Sequence, residues 1–103
     1  MKKISLLGAT GSVGRQTLEV LALHPDQFSL VAMSFGKNVA SALEIIHTFQ
    51  PRLVSAQTKE IRDEIAPQVP DEVKLVYGVE GLIEVAAFPE SNFVLNAVLG
   101  SVG

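Results

Sequence analysis

Short apolar runs alternate with segments of helical spacing along most of this chain. The apolar runs predict five strands, at residues 4–7, 28–34, 53–56, 73–77 and 92–98. Between them, apolar residues recur at intervals of three and four, which predicts helices over residues 12–23, 39–49, 59–66 and 82–88. Alternating strands and helices are typical of βαβ units. We therefore expect an α/β fold with a doubly wound parallel sheet, its strands ordered 3-2-1-4-5.

The boundaries of these helices have recognisable chemistry. Asn38 and Thr58 stand where a side-chain oxygen could cap the second and third helices, and His24-Pro25 and Pro51 should end the first and second. The predicted core face of the first helix is Val13, Thr17, Leu18, Leu21 and Ala22, and that of the second is Val39, Ala42, Leu43, Ile46 and Phe49.

The last residues, Leu99 to Gly103, form a glycine-rich segment directly after the fifth strand. In parallel sheets such a turn normally leads to the next covering helix. We therefore expect a sheet that is truncated after the fifth strand, and residues 1–103 to be one incomplete domain.

Spaced glycines lie between the first strand and the first helix, at Gly8, Gly11 and Gly14. In this position a Rossmann-like fold binds the pyrophosphate of a dinucleotide, because the backbone can approach the phosphates and the helix N-terminus faces them. The spacing is GxxGxxG rather than GxGxxG, so we expect a slightly different turn around the pyrophosphate. The alternative is that these glycines only shape the loop. Thr10 and Ser12 add hydroxyl donors.

A second loop, Gly36-Lys37-Asn38, follows the second strand, where an NAD-specific domain usually places an acidic residue against the ribose. This loop has no carboxylate. Ser34, Lys37 and Asn38 offer donors and a positive charge, which favours the 2′-phosphate of NADP. The alternative is that Lys37 is a solvated loop residue and Asn38 only a helix cap.

Composition narrows the possible partners. The net charge is −3 and no segment concentrates Lys or Arg, so we do not expect nucleic acid to bind. The absence of cysteine excludes a thiolate metal site and fits a cytoplasmic location. No apolar run approaches the roughly 20 residues that span a bilayer, and Arg15 ends the early apolar segment too soon for a signal peptide. A membrane is not an expected partner.

Other polar residues are weak candidates for chemistry. His24 and His47 have no partners at metal-ligand spacing, and Glu60, Asp63 and Glu64 lie on a charged helical face of the kind that is usually solvated. We expect no catalytic residue and no metal ligand within this chain.

Taken together, the glycine loop and the second loop resemble 1-deoxy-D-xylulose 5-phosphate reductoisomerase. The similarity covers the whole chain, and the combination of the two loops at this separation is specific. The stretches that carry it are Leu6 to Gly14, Thr17-Leu18, His24-Pro25, Phe28, Gly36 to Asn38, and Asn96 to Gly100.

The resemblance implies an NADPH-dependent enzyme that isomerises and reduces 1-deoxy-D-xylulose 5-phosphate to 2-C-methyl-D-erythritol 4-phosphate, in non-mevalonate isoprenoid biosynthesis. It also implies a divalent metal, Mg²⁺, Mn²⁺ or Co²⁺, in the full-length enzyme, which is expected to be a homodimer. By the same resemblance, the pyrophosphate side of NADPH contacts Thr10, Gly11, Ser12 and Val13, and its 2′-phosphate side contacts Gly36, Lys37 and Asn38.

Two alternatives remain at this point. One is another NADP-linked reductase, such as a semialdehyde dehydrogenase, and the other is a stand-alone nucleotide-binding module. In the family that the chain resembles, the metal and substrate sites lie beyond these residues. We therefore expect the isolated 103 residues to be inactive as a reductoisomerase.

Overall fold

The computed structural model describes residues 1–98 as strands and helices in strict alternation. The predicted turn at Leu99 to Gly103 lies outside the described residues. The elements are β1 (Lys2–Leu7), α1 (Ser12–Leu23), β2 (Phe28–Ser34), α2 (Val39–Phe49), β3 (Leu53–Ala56), α3 (Lys59–Ile65) with a following 3₁₀ turn (Ala66–Gln68), β4 (Lys74–Tyr77), α4 (Gly78–Ala86) and β5 (Phe93–Asn96).

The five strands form one parallel sheet in the order β4-β3-β2-β1-β5. This confirms the doubly wound α/β class, but the predicted order 3-2-1-4-5 is wrong. The predicted order requires the chain to cross to the other side of β1 directly after β3. In the structure, β4 instead pairs with the outer side of β3, and the chain crosses to the other side of β1 through α4. The second neighbour of β1 is therefore β5, whereas the predicted order places β4 there.

The helices cover both faces of the sheet. One apolar cluster joins side chains of β1, β2 and β3 to α1, α2 and α3, and a second cluster joins the sheet to Val85 of α4. The register of β1 against β2 shifts between Ile4 and Ser5, which pair with Leu30 and Ala32. The extra residue in β2 reverses the alternation of side chains, so Leu30 and Ala32 point to opposite clusters.

Helix α1 approaches the sheet more closely than its apolar pattern indicated. Its buried residues are Gly14, Leu18 and Leu21. The predicted core residues Val13 and Ala22 are exposed, so that part of the prediction is wrong. Because Gly14 takes the position nearest the strand, the helix is rotated and Val13 faces outward.

Helix α4 begins at Gly78, four residues before the predicted start, and ends at Ala86. Two glycines weakened the helical pattern there. A Cβ at Gly81 would overlap the side-chain oxygen of Ser55, so this glycine lets α4 lie directly on β3.

Candidate functional site

A cleft of about 780 Å³ lies at the carboxyl edge of the sheet, where the loops that follow all five strands meet. Open α/β sheets bind their ligands at this edge. The residues that line it are Gly8, Thr10, Gly11, Ser12, Val13, Ser34, Phe35, Gly36, Ala56, Gln57, Gly78, Val79, Leu82, Ala97 and Val98.

The loop between β1 and α1 is held against the end of β2. The Ala9 amide donates to the Ser34 carbonyl at 2.8 Å, and the Gly8 amide donates to the Ser34 hydroxyl at 3.0 Å. Gly8 has a φ of +79°, which favours glycine at this turn. Ser34 is buried, so these bonds fix the side of the loop that faces the sheet. The opposite side of the loop faces the cleft.

The three glycines of this loop have different roles. A Cβ at Gly14 would overlap the carbonyl oxygen of Gly8 and lie 2.7 Å from that of Ala9, so glycine is required for the helix to pack here. A Cβ at Gly11 would meet its nearest neighbour, the Gly8 carbonyl, at an ordinary 3.6 Å. Gly11 also has a φ of −75°, which any residue adopts. The fold therefore needs Gly8 and Gly14 but not Gly11, which stands on the cleft wall.

Helix α1 begins at this loop with no side-chain cap. The first helical bond runs from the Arg15 amide to the Gly11 carbonyl, at 2.9 Å. The amides of the preceding turn point along the helix axis without helical acceptors, and the helix dipole is positive at this end. These amides could together donate hydrogen bonds to an anion in the cleft.

The second loop is attached to the sheet and to α2. The Phe35 amide donates to the Ser55 carbonyl at 2.9 Å, and the Asn38 side chain accepts the Ser41 amide at 3.0 Å, as predicted for a helix cap. A Cβ at Gly36 would have the Gln57 side chain as its nearest neighbour, at 3.8 Å. Gly36 is thus a second glycine on the cleft wall that the fold does not require.

The structure brings most of the predicted binding residues together. Thr10, Gly11, Ser12, Val13 and Gly36 line one cleft. Lys37 and Asn38 follow directly on Gly36 but do not line it; Lys37 is exposed, and Asn38 caps α2.

Sequence analysis missed the opposite wall of the cleft. It consists of the last residue of β3 and of residues that follow the three remaining strands, namely Ala56, Gln57, Gly78, Val79, Leu82, Ala97 and Val98. These residues could have been predicted, because the carboxyl ends of parallel strands share one edge of a sheet. Such a prediction requires the last residue of each strand to be assigned correctly.

The described residues contain no candidate metal centre. Within residues 1–98, no three His, Asp or Glu side chains are grouped so that they could hold an ion. His24 is the C-cap of α1 and lies edge-on to Phe28, with 6.2 Å between ring centroids, and His47 is exposed in the last turn of α2. Both histidines therefore occupy the helix-end and surface positions expected of them.

Comparison with known proteins gives the family. The family model of 1-deoxy-D-xylulose 5-phosphate reductoisomerase matches residues 4–103. The chain belongs to this family. It is 57% identical over 103 residues to the reductoisomerase of Halalkalibacterium halodurans and 52% identical to that of a Geobacillus species, and it spans 27% of the length of each.

Solved structures agree with this assignment. A crystal structure of DOX-P reductoisomerase in complex with NADPH, fosmidomycin and magnesium is similar, with a TM-score of 0.85 and 27% identity over 91% of this chain and 24% of that one. The Rossmann-like class is therefore confirmed, and the family match decides against the semialdehyde dehydrogenases. Among the helices of residues 1–98, none is long and apolar enough to cross a membrane.

Proposed function

We propose that this chain forms the NADPH-binding part of an enzyme that isomerises and reduces 1-deoxy-D-xylulose 5-phosphate to 2-C-methyl-D-erythritol 4-phosphate, in non-mevalonate isoprenoid biosynthesis. Family membership supports the reaction, and a related structure that contains NADPH supports the cofactor. One observation on this chain carries the proposal. Gly11 and Gly36 stand on the wall of one cleft although the fold needs a glycine at neither, as expected where backbone must approach a ligand closely.

The glycine loop is proposed to bind the pyrophosphate. Thr10, Gly11, Ser12 and Val13 occupy the turn at the uncapped start of α1, where amide donors and the helix dipole favour an anion. The hydroxyls of Thr10 and Ser12 supply further donors. The absence of a Cβ at Gly11 lets the phosphates reach the backbone.

The second loop is proposed to bind the adenosine 2′-phosphate through Gly36, Lys37 and Asn38. Lys37 brings a positive charge beside the cleft, and no carboxylate in residues 34–38 would repel the phosphate. Asn38 fixes the start of α2 and thereby the course of the loop. Gly36 leaves room for the ribose.

When bound, NADPH supplies the hydride for the reduction. The residues of this chain hold and orient the cofactor, and the buried attachment of the loop at Ser34 keeps that orientation fixed. The divalent ion expected for the full-length enzyme (Mg²⁺, Mn²⁺ or Co²⁺) does not fit residues 1–98, which offer no grouped ligands.

Residues 1–103 are proposed to form an incomplete NADPH-binding domain of a cytoplasmic, homodimeric enzyme whose catalytic and carboxy-terminal parts lie elsewhere in the protein. The length of the relatives supports this, since the chain spans 27% of them. On their own, these 103 residues are expected to show no reductoisomerase turnover. Turnover by the purified chain, with no other protein present, would contradict that expectation.

Replacement of Lys37 tests the cofactor assignment. A hydrogen bond to a charged group contributes about 1.5–3 kcal/mol, so Lys37→Ala should weaken NADPH binding by roughly 10-fold to 150-fold and leave NADH binding nearly unchanged. Because Lys37 is exposed, the smaller figure is expected, and added salt should reduce it further. Calorimetric titration of both cofactors into the full-length protein, at two salt concentrations, measures this.

Lys3→Ala is the matched control, since Lys3 is also exposed but lies on β1, toward the amino edge of the sheet. It should leave both affinities unchanged. If Lys37→Ala weakens NADPH and NADH equally, Lys37 supports the loop and does not bind the phosphate. If the unaltered protein binds neither cofactor, the proposed function itself is wrong.

A further inference from the structure

A hydrogen bond joins the starts of the two helices that follow the two cofactor loops. The Arg15 guanidinium, on the first turn of α1, donates from Nη2 to Oγ of Ser41 at 2.7 Å. Ser41 lies on the first turn of α2 and donates its own amide to the Asn38 side chain at 3.0 Å. Arg15 is therefore two hydrogen bonds away from the loop proposed to bind the 2′-phosphate.

One hydrogen bond holds this guanidinium at the start of α2. Arg15 follows Gly14, whose contact with the Gly8 and Ala9 carbonyls fixes the first turn of α1 against the sheet. Its acceptor Ser41 is 6% exposed, so the bond to the hydroxyl anchors the end of a long side chain at the start of α2.

Most of the hydrogen-bonding capacity of Arg15 is unused. A guanidinium has five N–H donors, and the bond to Ser41 uses one of them. Within residues 1–98, the basic partners in ion pairs are Arg52, Arg62 and Lys74. Glu19 and Glu44 line the same groove between α1 and α2, yet neither pairs with Arg15 in the described structure. The guanidinium thus has unused donors and, among the described residues, no carboxylate partner, and it is linked through Ser41 to Asn38 of the second loop.

We propose that Arg15 is a second cation for the adenosine 2′-phosphate, acting together with Lys37 to select NADPH over NADH. This inference rests on the proposed function. A planar guanidinium suits a phosphate, because two parallel N–H groups match two phosphate oxygens. Ser41 contributes by holding the guanidinium in place.

Arg15 acts from α1, the helix that follows the pyrophosphate loop, whereas Lys37 acts from the loop before α2. The 2′-phosphate would therefore be bound from both sides of the space between the two helices. Selectivity for NADPH would depend on the spacing of α1 and α2 as well as on the composition of the second loop.

The test compares cofactors in full-length protein that carries Arg15→Met, which removes the charge and keeps most of the apolar stem. NADPH binding should weaken roughly 10-fold, the lower end of the range for a charged hydrogen bond, and NADH binding should change less than 2-fold. Arg15→Lys should recover part of the NADPH affinity, because it restores the charge without the paired donors. Calorimetric titration of each cofactor provides both affinities.

Arg52→Met is the matched control, because Arg52 is exposed just before β3, at the amino edge of the sheet, and should not affect either affinity. Equal weakening of NADPH and NADH by Arg15→Met would overturn the inference, since it would show that Arg15 only holds the helices together. No change for either cofactor would also overturn it. If NADPH preference persists in Arg15→Met but is lost in Lys37→Ala, this inference fails while the proposed function stands.

Discussion

The two loops that border the cleft differ in what holds them in place. The glycine loop of residues 8–14 is bonded from beneath to Ser34 and packed through Gly14 against backbone carbonyls. The loop of residues 36–38 is anchored through the Asn38 cap, and Lys37 is exposed. Substitutions in the first loop should therefore affect stability or both cofactors, whereas substitutions in the second should change the preference between cofactors.

The largest expected effect is on folding, from Gly14→Ala. The new Cβ would overlap the Gly8 carbonyl oxygen and crowd that of Ala9, and these two residues cannot move without losing the bonds that their amides donate to Ser34. Overpacking of this kind costs about 1–3 kcal/mol, and we expect the upper part of that range because the neighbours are backbone atoms. Urea unfolding monitored by circular dichroism measures the change. A midpoint equal to that of the unaltered protein would show that α1 shifts freely.

A smaller effect, confined to binding, is expected from Gly11→Ser. Serine is a favoured N-cap and its Cβ has ordinary space, so stability should be unchanged or slightly higher. The side chain would separate the phosphates from the backbone amides. Loss of one bond to a charged group would weaken NADPH and NADH alike, by at least roughly 10-fold.

Calorimetric titration of both cofactors checks this result, with urea unfolding of the same protein as the control for folding. Selective loss of NADPH alone would indicate that Gly11 faces the 2′-phosphate, and the roles assigned to the two loops would then have to be exchanged.

The smallest expected effects come from the two helix caps. Asn38→Ala and Thr58→Ala each remove a bond from a side-chain oxygen to a helix amide, of 3.0 Å and 3.2 Å, and each should cost about 1 kcal/mol of stability. Asn38→Asp keeps a cap but adds a negative charge beside the second loop. It should weaken NADPH and spare NADH, which unfolding and titration experiments on the three variants would show.

Thr58 is the internal comparison, since it caps α3 outside the second loop. If Thr58→Ala changes the ratio of NADPH to NADH affinity as strongly as Asn38→Asp does, helix stability rather than charge determines the preference.

The parts of the structure that depend on local chemistry were predictable from the sequence. Strands β2 and β3, helix α1 and both side-chain caps agree with the predictions, because apolar runs, capping residues and prolines act over a few positions. The order of the strands was not predictable in the same way. It depends on which crossover changes direction, and neither α3 nor α4 carries a local signal for that.

The composition of β4 was a clue that this strand lies at the edge of the sheet. Lys74 and Tyr77 are exposed at its two ends, and charged residues such as lysine are common on edge strands. Val13 was predicted to be in the core because it fits the apolar periodicity of α1. Periodicity does not reveal that Gly14 sets the distance between helix and strand and leaves Val13 exposed. The cleft could be predicted on one side only, since its other wall is assembled from strand ends distant in sequence.

Strand β5 has consequences for how these residues behave in solution. Phe93, Val94 and Leu95 are 45%, 46% and 37% exposed, and within residues 1–98 the strand pairs on one side only, with β1 at the end of the sheet. An uncharged apolar edge presents unpaired amides and carbonyls to any other extended chain. When the 103 residues are isolated from the rest of the protein, aggregation is therefore expected to begin at β5 with the sheet still folded, and concentrated stocks should become turbid below the temperature of unfolding.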